Sequence, residues 1–517
     1  MEVIAMSVSL ALTNPLSVLL NKEPCDFSRA DMLEVILAKR IERLTFHYTG
    51  LDNQVKELKL PVASRQQAER VLAAGERIDG SSLFKGLVDT ADSDLYVVPV
   101  YRTAFISPFD SRSLDFMCRF IDRRGELAPF TPDNVLALTH RHFSEHTGLE
   151  LHSLGELEFF LLGDGGPDYY PPERQTGYHA SAPFFKSGDV VDEMVRYISQ
   201  VTGAIKYAHA EVGFIESLRS DNPQLRERRA EQHEIEFLTR PMEETNDNLV
   251  LSRWIIRNVA YRRGMLATFA PKLEEGVAGN GFHFHLELLE KGRNIMLDEH
   301  KQLSARARRL IGGLAHYAST LSAFGNTVAA AYLRLVPNQE APTRICWSDC
   351  NRSALIRVPL GWRDGADLAR QVNPKEQACF VDERGQQTVE LRSPDGSARF
   401  TLVLAGMTSA AEYGLTQPGM EELCARTRVE GNIHDDPKLL ERLEPLPGSC
   451  VAAARLLGER RGLYEEHGCF PPRLIDKVIA QLEREEDAEL NSALTHMPAD
   501  ERLSKTRQIM HRDINRN

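Results

Sequence analysis

The spacing of apolar residues changes along the chain, and the changes mark out elements. In FSRADMLEVILAKRIERLTFHYTG, residues 27–50, apolar residues first recur at helical spacing behind Ser28, a capping residue. The same stretch then runs on as a strand. Short strands surround DNQVKELKLPV, and residues 64–74 predict a helix stopping near Gly75. Residues 1–25 predict an irregular lead-in, 79–86 (DGSSLFKG) a loop, and SDLYVVPV and YRTAFISPF strands. Together, residues 1–125 predict a small α/β domain.

The remainder, 126–517, predicts a larger domain. A helix begins near Pro132, and LHSLGELEFFLLG follows as a strand. Residues 189–210 predict a helix with His209-Ala210-Glu211 at its end. The highly charged 216–230 predicts an exposed excursion, and EQHEIEFLTRPM a strand. A helix over 246–264 precedes the strand-like run GNGFHFH, 279–285. SARARRLIGGLAHYASTLSAF predicts a long helix, 352–359 and 388–391 short strands, and the chain from Leu402 mostly helices. Antiparallel strands mixed with long helices predict the α+β class rather than a doubly wound sheet.

Composition narrows the picture. A chain of 517 residues, 42% hydrophobic and 26% charged, is long enough for two to four folded domains. Its net charge of −12 argues against nonspecific binding to nucleic acid or anionic membrane, but allows an anionic substrate in a locally basic pocket. The eight cysteines form no CxxC pair, and Cys346 and Cys350 have no second pair to complete a zinc spacing. The expectation is a reduced, cytoplasmic protein. The apolar run ALTNPLSVLL lacks a preceding basic region, so neither a leader nor a membrane span is expected.

The chemistry sits on the predicted strands. A period of two puts His283 and His285 on one face, behind glycines that let backbone approach a ligand. Taken alone, these histidines fit either a metal or phosphate site or two internally satisfied imidazoles. The same period pairs Glu156 with Glu158, Glu234 with Glu236, and Glu390 with Arg392. Acids pointing together repel unless a metal or arginine compensates them. Mostly oxygen donors plus His283 point to two divalent ions of the Mg²⁺ or Mn²⁺ kind. Arg334, Arg352, Arg357 and Arg392 form a second set, suited to clamping phosphates and a substrate carboxylate. No Walker-type glycine loop occurs, so any use of ATP needs another fold.

DGSS, GELEFF, HAE, QHE, ATFAPK, GNGFHFH, RLVPNQEAP, NRSALIR and VELR occur in one order that resembles the glutamine synthetase family in its bacterial type I arrangement. LPGSCVAAARLL resembles the family's C-terminal helical segment. The resemblance implies a β-grasp-like N-terminal domain and a catalytic domain with a curved antiparallel sheet flanked by helices. It implies that Glu156, His283 and Glu390 hold a metal near nucleotide phosphates, and Glu158, Glu211 and Glu234 a metal beside the substrate carboxylate. His285 would touch phosphate, Arg334 and Arg392 the carboxylates of glutamate, and Arg352 and Arg357 the transferring phosphate. Glu340 would sit on a closing flap, Asp79 of a neighbouring subunit would bind ammonium, and Tyr178 would lie near the amine.

The implied reaction joins glutamate and ammonia to give glutamine, using ATP and two or more Mg²⁺ or Mn²⁺ ions. The implied assembly is two stacked hexameric rings with sites between subunits. Some positions depart from the family pattern. The excursion 216–230 leaves Glu216 and Glu227 as rivals to Glu211. Ala278-Gly279-Asn280-Gly281 stands where Asn-Gly-Ser-Gly is usual, and Thr388 where a basic residue is common. Alternatives are a γ-glutamyl ligase acting on a larger amine or another acid, a non-catalytic homologue with a structural or regulatory role, and a metal-dependent guanido kinase.

Overall fold

The computed structural model describes residues 10–89, 91, 93–164, 169–336, 341–361, 368–378, 380 and 384–516. Two sheets organise them. The first comprises β1 (Arg43–Thr49), β2 (Val55–Pro61), β3 (Glu76–Asp79), β4 (Asp94–Pro99), β5 (Phe105–Ile106) and β6 (Ser113–Ile121), in the order β2-β1-β6-β4-β3. The β1–β6 pair is parallel and β5 adds to β6, so the sheet is mixed.

Helices α1 (Pro15–Leu20), α2 (Arg29–Lys39), α3 (Arg65–Ala74) and α4 (Gly80–Leu83) accompany this sheet. Ser28 caps α2 by accepting from the Asp31 amide, while Asp31 accepts from the Ser28 amide; together they satisfy two orphan donors. The lead-in is thus partly helical, because Asn14 caps a turn with Pro15 at its first position. The stretch 79–86 contains α4, capped by Asp79. YRTAFISPF forms a 3-10 turn, Tyr101–Thr103, and the two-residue β5 rather than a long strand.

The second sheet has ten strands: β7 (Glu150–Gly163), β8 (Ile205–Ile215), β9 (Arg229–Phe237), β10 (Arg240–Pro241), β11 (Leu266–Thr268), β12 (Phe284–Glu290), β13 (Arg293–Asn294), β14 (Trp347–Asp349), β15 (Ile356–Val358) and β16 (Val389–Leu391). Its main order is β14-β15-β16-β12-β7-β9-β8, curled and antiparallel except for β14–β15. Helices α5 (Pro132–Thr147), α6 (Gly188–Thr202), α7 (Met242–Arg262), α8 (Ala305–Gly325), α9 (Ala331–Arg334), α10 (Ala369–Val372) and α11 (Phe400–Thr416) lie in chain order among and after these strands. The fold is mixed α+β.

In the larger domain, three further elements differ from their sequence expectation. The predicted helix over 189–210 stops at Thr202, where Gly203 takes φ +60, and the chain returns as β8. His209-Ala210-Glu211 therefore lies on a strand. The strand expected over 352–359 is confined to β15, with β14 beside it. The excursion 216–230 connects β8 to β9 and is anchored: Leu218 and Leu225 are buried with Ile514, and Ser220 hydrogen-bonds His511. Among the described residues, no helix is long and apolar enough to cross a membrane.

A continuous apolar core runs between the sheets, including Phe46, Phe116 and Phe120 of the first and Phe159 and Leu286 of the second. Charge locks the same junction. Asp247 of α7, buried, accepts from Arg119 at 2.8 and 2.9 Å and from Arg102 at 2.5 Å. Burial would raise its pKa, but the two guanidiniums outweigh that and hold the carboxylate below its ordinary value.

Candidate active site

Strand register, which no single strand specifies, lines up the charged positions. Glu156 and Glu158 of β7 stand opposite Glu236 and Glu234 of β9, and Glu234 stands opposite His209 of β8. On the other side, Arg357 of β15 pairs with Glu390 of β16, which pairs with His285 of β12. Period-two alternation then aims these side chains to one face. They line a cleft of about 1260 Å³.

At the centre, Glu156 accepts from both imidazoles of GNGFHFH: His283 Nδ1 lies 2.7 Å away and His285 Nε2 2.9 Å. His283 immediately precedes β12, yet its carbonyl accepts the Glu156 amide at 2.9 Å, which extends the pairing. Glu390 is fully buried; it accepts from Arg392 at 2.5 Å and from Arg357 at 2.9 Å. Glu158 accepts from the Gly281 amide at 2.9 Å and from Gln232 at 3.2 Å.

The electrostatics separate these acids. Burial would raise Glu156, but hydrogen bonds from His283 and His285 outweigh it and keep the group well below the usual range. Burial, reinforced by the charge of Glu211, pushes Glu158 up to about 8. Burial and the neighbouring carboxylates Glu156, Glu158 and Glu211 push Glu234 well above its ordinary value. Such a cluster is short of positive charge.

Ligand atoms of Glu156, His283 and Glu390, and of His209, Glu211 and Glu234, fall within 4.8 Å of one another in each group. Oxygen-rich sets with an imidazole fit hard or intermediate divalent ions, so the donors present fit two divalent cations.

A pH test follows. Because Glu158 and Glu234 have folded pKa values above their unfolded ones, the native state holds protons that the unfolded chain has released. The stability Glu158 supplies is full below the unfolded value near 4.5 and is lost as pH rises through about 8; that of Glu234 is lost in the same direction, as pH rises through its own raised value. The buried histidines His152 and His233 are depressed instead; their opposing effect is complete above 6.5. In chelator, the melting temperature should therefore fall between pH 6.5 and 8, and saturating Mg²⁺ or Mn²⁺ should flatten that slope. An identical slope with and without metal would show that these acids hold no cation.

Of the residues singled out from sequence, Glu156, Glu158, Tyr178, Glu211, Glu234, Gly279, His283, His285, Arg334, Arg352, Arg357, Glu390 and Arg392 line the one cleft. Of the three rivals, Glu211 lies there beside Glu234, while Glu216 and Glu227 are exposed in the β8–β9 connection. His285 hydrogen-bonds Thr388 through Nδ1, so the departure at Thr388 touches the site.

Asp79 is not brought to this cleft by its own chain. It is exposed on the first sheet, where the hydroxyls of Ser82 and Ser81 lower its pKa to about 2. Glu340 lies outside the described residues. Glu236, paired with Glu234 by the period of two, also lines the cleft, and His209 is a cleft residue not singled out from sequence. The alternation in HAE is the signal for it, and reading 189–210 as helix hides that signal.

The absence of a side chain at Gly281, in the loop before β12, leaves room for three site side chains. A Cβ on Gly281 would sit 2.6 Å from His283 Nε2, 2.7 Å from Glu158 Oε1 and 2.8 Å from Arg334 Nη2. Asn280 turns away from the cleft: its side chain donates to the Ala270 carbonyl at 2.9 Å and accepts from Gln232 at 3.1 Å.

A curled sheet carrying paired carboxylates, imidazoles and converging arginines defines a cleft for handling metal ions and anionic substrates together. Family models agree. Residues 40–123 match "Glutamine synthetase, beta-Grasp domain" and residues 131–501 match "Glutamine synthetase, catalytic domain". The chain belongs to the glutamine synthetase family, as a divergent member, and is thereby a ligase of the ATP-dependent glutamine synthetase type.

It is 29% identical over 442 residues to glutamine synthetase of Thermus thermophilus, covering 81% of this chain and 90% of that one. To the Halobacterium salinarum enzyme it is 28% identical over 486 residues, covering 92% and 96%. The fold matches Plasmodium falciparum glutamine synthetase with a TM-score of 0.70 at 19% identity, covering 92% of this chain and 98% of that one. It matches the GmaS/ADP complex with a TM-score of 0.68 at 20% identity, covering 91% and 98%.

Proposed function

We propose that this protein makes glutamine from glutamate and ammonia, at the expense of ATP, through γ-glutamyl phosphate. A free carboxylate is a poor electrophile. Transfer of the terminal phosphoryl group of ATP to the γ-carboxylate creates a leaving group; ammonia attacks the acyl carbon, phosphate departs and a proton is lost. The observation that most supports this reading is the register that sets Glu156, Glu158, Glu234 and Glu390 beside Arg357 and Arg392 on one sheet face.

Glu156, His283 and Glu390 would hold one divalent ion, and Glu158, Glu211 and Glu234 a second. Bound there, such ions offset phosphate charge and orient the oxygens of the transfer. Arg352 and Arg357 would neutralise the transferring phosphate, and Arg334 and Arg392 would bind the carboxylates of glutamate. His285 orients Glu156 and would reach phosphate by exchanging that hydrogen bond. Glu340 would close the site, and Tyr178 would flank the amine.

Asp79 would bind ammonium in the cleft of a neighbouring subunit, in an assembly of two stacked hexameric rings. Held ionised by Ser81 and Ser82, it is suited to bind that cation.

One feature favours a second reading, a γ-glutamyl ligase for a larger amine. Ala278 stands where the family pattern has asparagine, and Asn280 is held by the Ala270 carbonyl and Gln232, so neither presents an amide to the cleft beside Gly279. The test is incubation with ATP, Mg²⁺, glutamate and a panel of amines, following phosphate and amide together. Ammonia should give the fastest amide formation. Product with alkylamines alone would select the second reading, and no glutamate-dependent phosphate release with any amine would sink both.

A further inference from the structure

Away from the cleft, α5 and α11 bring together a second set of metal-ligating side chains. His142 and His146 are four residues apart on α5, so both imidazoles leave the same helix face. Opposite them, on α11, is Glu412. Its two carboxylate oxygens lie 2.8 Å from His142 Nδ1 and 2.9 Å from His146 Nδ1. Ligand atoms of the three residues lie within 4.8 Å of one another. A third imidazole, His467, stacks on His142 with ring centroids 4.5 Å apart.

The carboxylate explains why the cluster asks for a cation. Glu412 is 4% exposed. Among the described residues its side-chain hydrogen-bond and ion-pair partners are these two histidines, with no lysine or arginine. A buried carboxylate is costly without a compensating charge, which a protonated imidazole or a bound cation can supply. His142 is partly buried and His146 half-exposed, so an ion has a way in. Two imidazoles on one helix turn with a carboxylate from a second element is a donor set with an established preference. Nitrogen-rich sites select zinc and its first-row neighbours, whereas Mg²⁺ requires oxygen.

We propose that His142, His146 and Glu412 form a zinc-type site, distinct from the ions of the cleft. An ion there would tie α5 to α11. Because α5 ends at Thr147 and β7 begins at Glu150, it would brace the element leading into the strand of Glu156 and Glu158.

The experiment uses the full chain, stripped by chelator, loaded with Zn²⁺ in millimolar Mg²⁺ and desalted, with bound zinc counted by elemental analysis. His146→Ala should hold one fewer tightly bound zinc per chain. Affinity at that site should fall at least ~100-fold, beyond the roughly 10–100-fold cost of losing an outer-shell partner. Glu234→Gln, altering the cleft, should keep this zinc. Half-exposed His146 should tolerate alanine, and circular dichroism of the metal-free variant checks its fold. As a second readout, Zn²⁺ in Mg²⁺ should raise the melting temperature of the unmodified chain more than that of His146→Ala. Equal zinc content and affinity in His146→Ala, or zinc lost from Glu234→Gln but kept in His146→Ala, would overturn the site.

Discussion

Glu390→Ala is expected to lower amide formation by about 10³-fold, the scale of losing a main electrostatic element of a site. It should also destabilise the protein. Glu390 is fully buried between Arg357 and Arg392, at 2.9 and 2.5 Å, and its removal takes a charged acceptor from both guanidiniums. Breaking a buried pair from one side costs roughly 3–5 kcal/mol. Repulsion from Glu156 acts the other way but does not win. Burial and Glu156 both raise the Glu390 pKa, and Arg392 with the two imidazoles still brings it below its ordinary value.

Glu390→Gln separates the two roles. It keeps an acceptor for the arginines and should lose much less stability in urea, yet it lacks the charge and should lose comparable activity. Activity of Glu390→Gln near that of the unmodified chain would remove Glu390 from the metal-binding set.

Gly281→Ala should cost about 10²-fold in turnover, as expected of small misplacement of reacting groups, with only about 1–3 kcal/mol of overpacking. One added methyl would press simultaneously on His283, Glu158 and Arg334, at 2.6 to 2.8 Å. The conflict is with side chains and not with backbone conformation, since Gly281 is outside the positive-φ glycines. Gly188→Ala is the matched control. Its added Cβ meets nothing within 4 Å, and its φ is also not positive, so turnover should be unchanged. Steady-state amide formation and urea unfolding on the same preparations give both quantities. A Gly281→Ala enzyme with full turnover would show that the loop yields without moving the site.

These two positions show where sequence reading works. Glu390 could be read because a VELR strand forces Glu390 and Arg392 to one face, whatever surrounds it. The paired acids of GELEFF and the histidines of HFH follow from the same period of two. Ser28 as a cap, and the helix starting at Pro132, are equally local.

What was missed depended on competition between periods. Residues 189–210 contain enough apolar residues at helical spacing to read as one helix, and only Gly203 breaks it. That misreading concealed His209 as a neighbour of Glu234. Similarly, 216–230 reads as solvated charge. Leu218 and Leu225 alone do not reveal that Ile514, nearly 300 residues later, completes their small core.

By itself the sequence determined which residue types occur with which local period, and hence the strand faces, the caps and the ordered motifs that place the chain in its family. Tertiary structure decided which faces meet. Register sets Glu158 against Glu234 and His209, and Arg357 against Glu390, because long-range pairing is chosen by the whole buried surface and not by a local pattern. It placed Glu211 in the cleft beside Glu234 and left Glu216 and Glu227 exposed in the β8–β9 connection. Packing of α5 on α11 likewise brought Glu412 to two histidines some 270 residues away, a contact that no spacing along the chain could express.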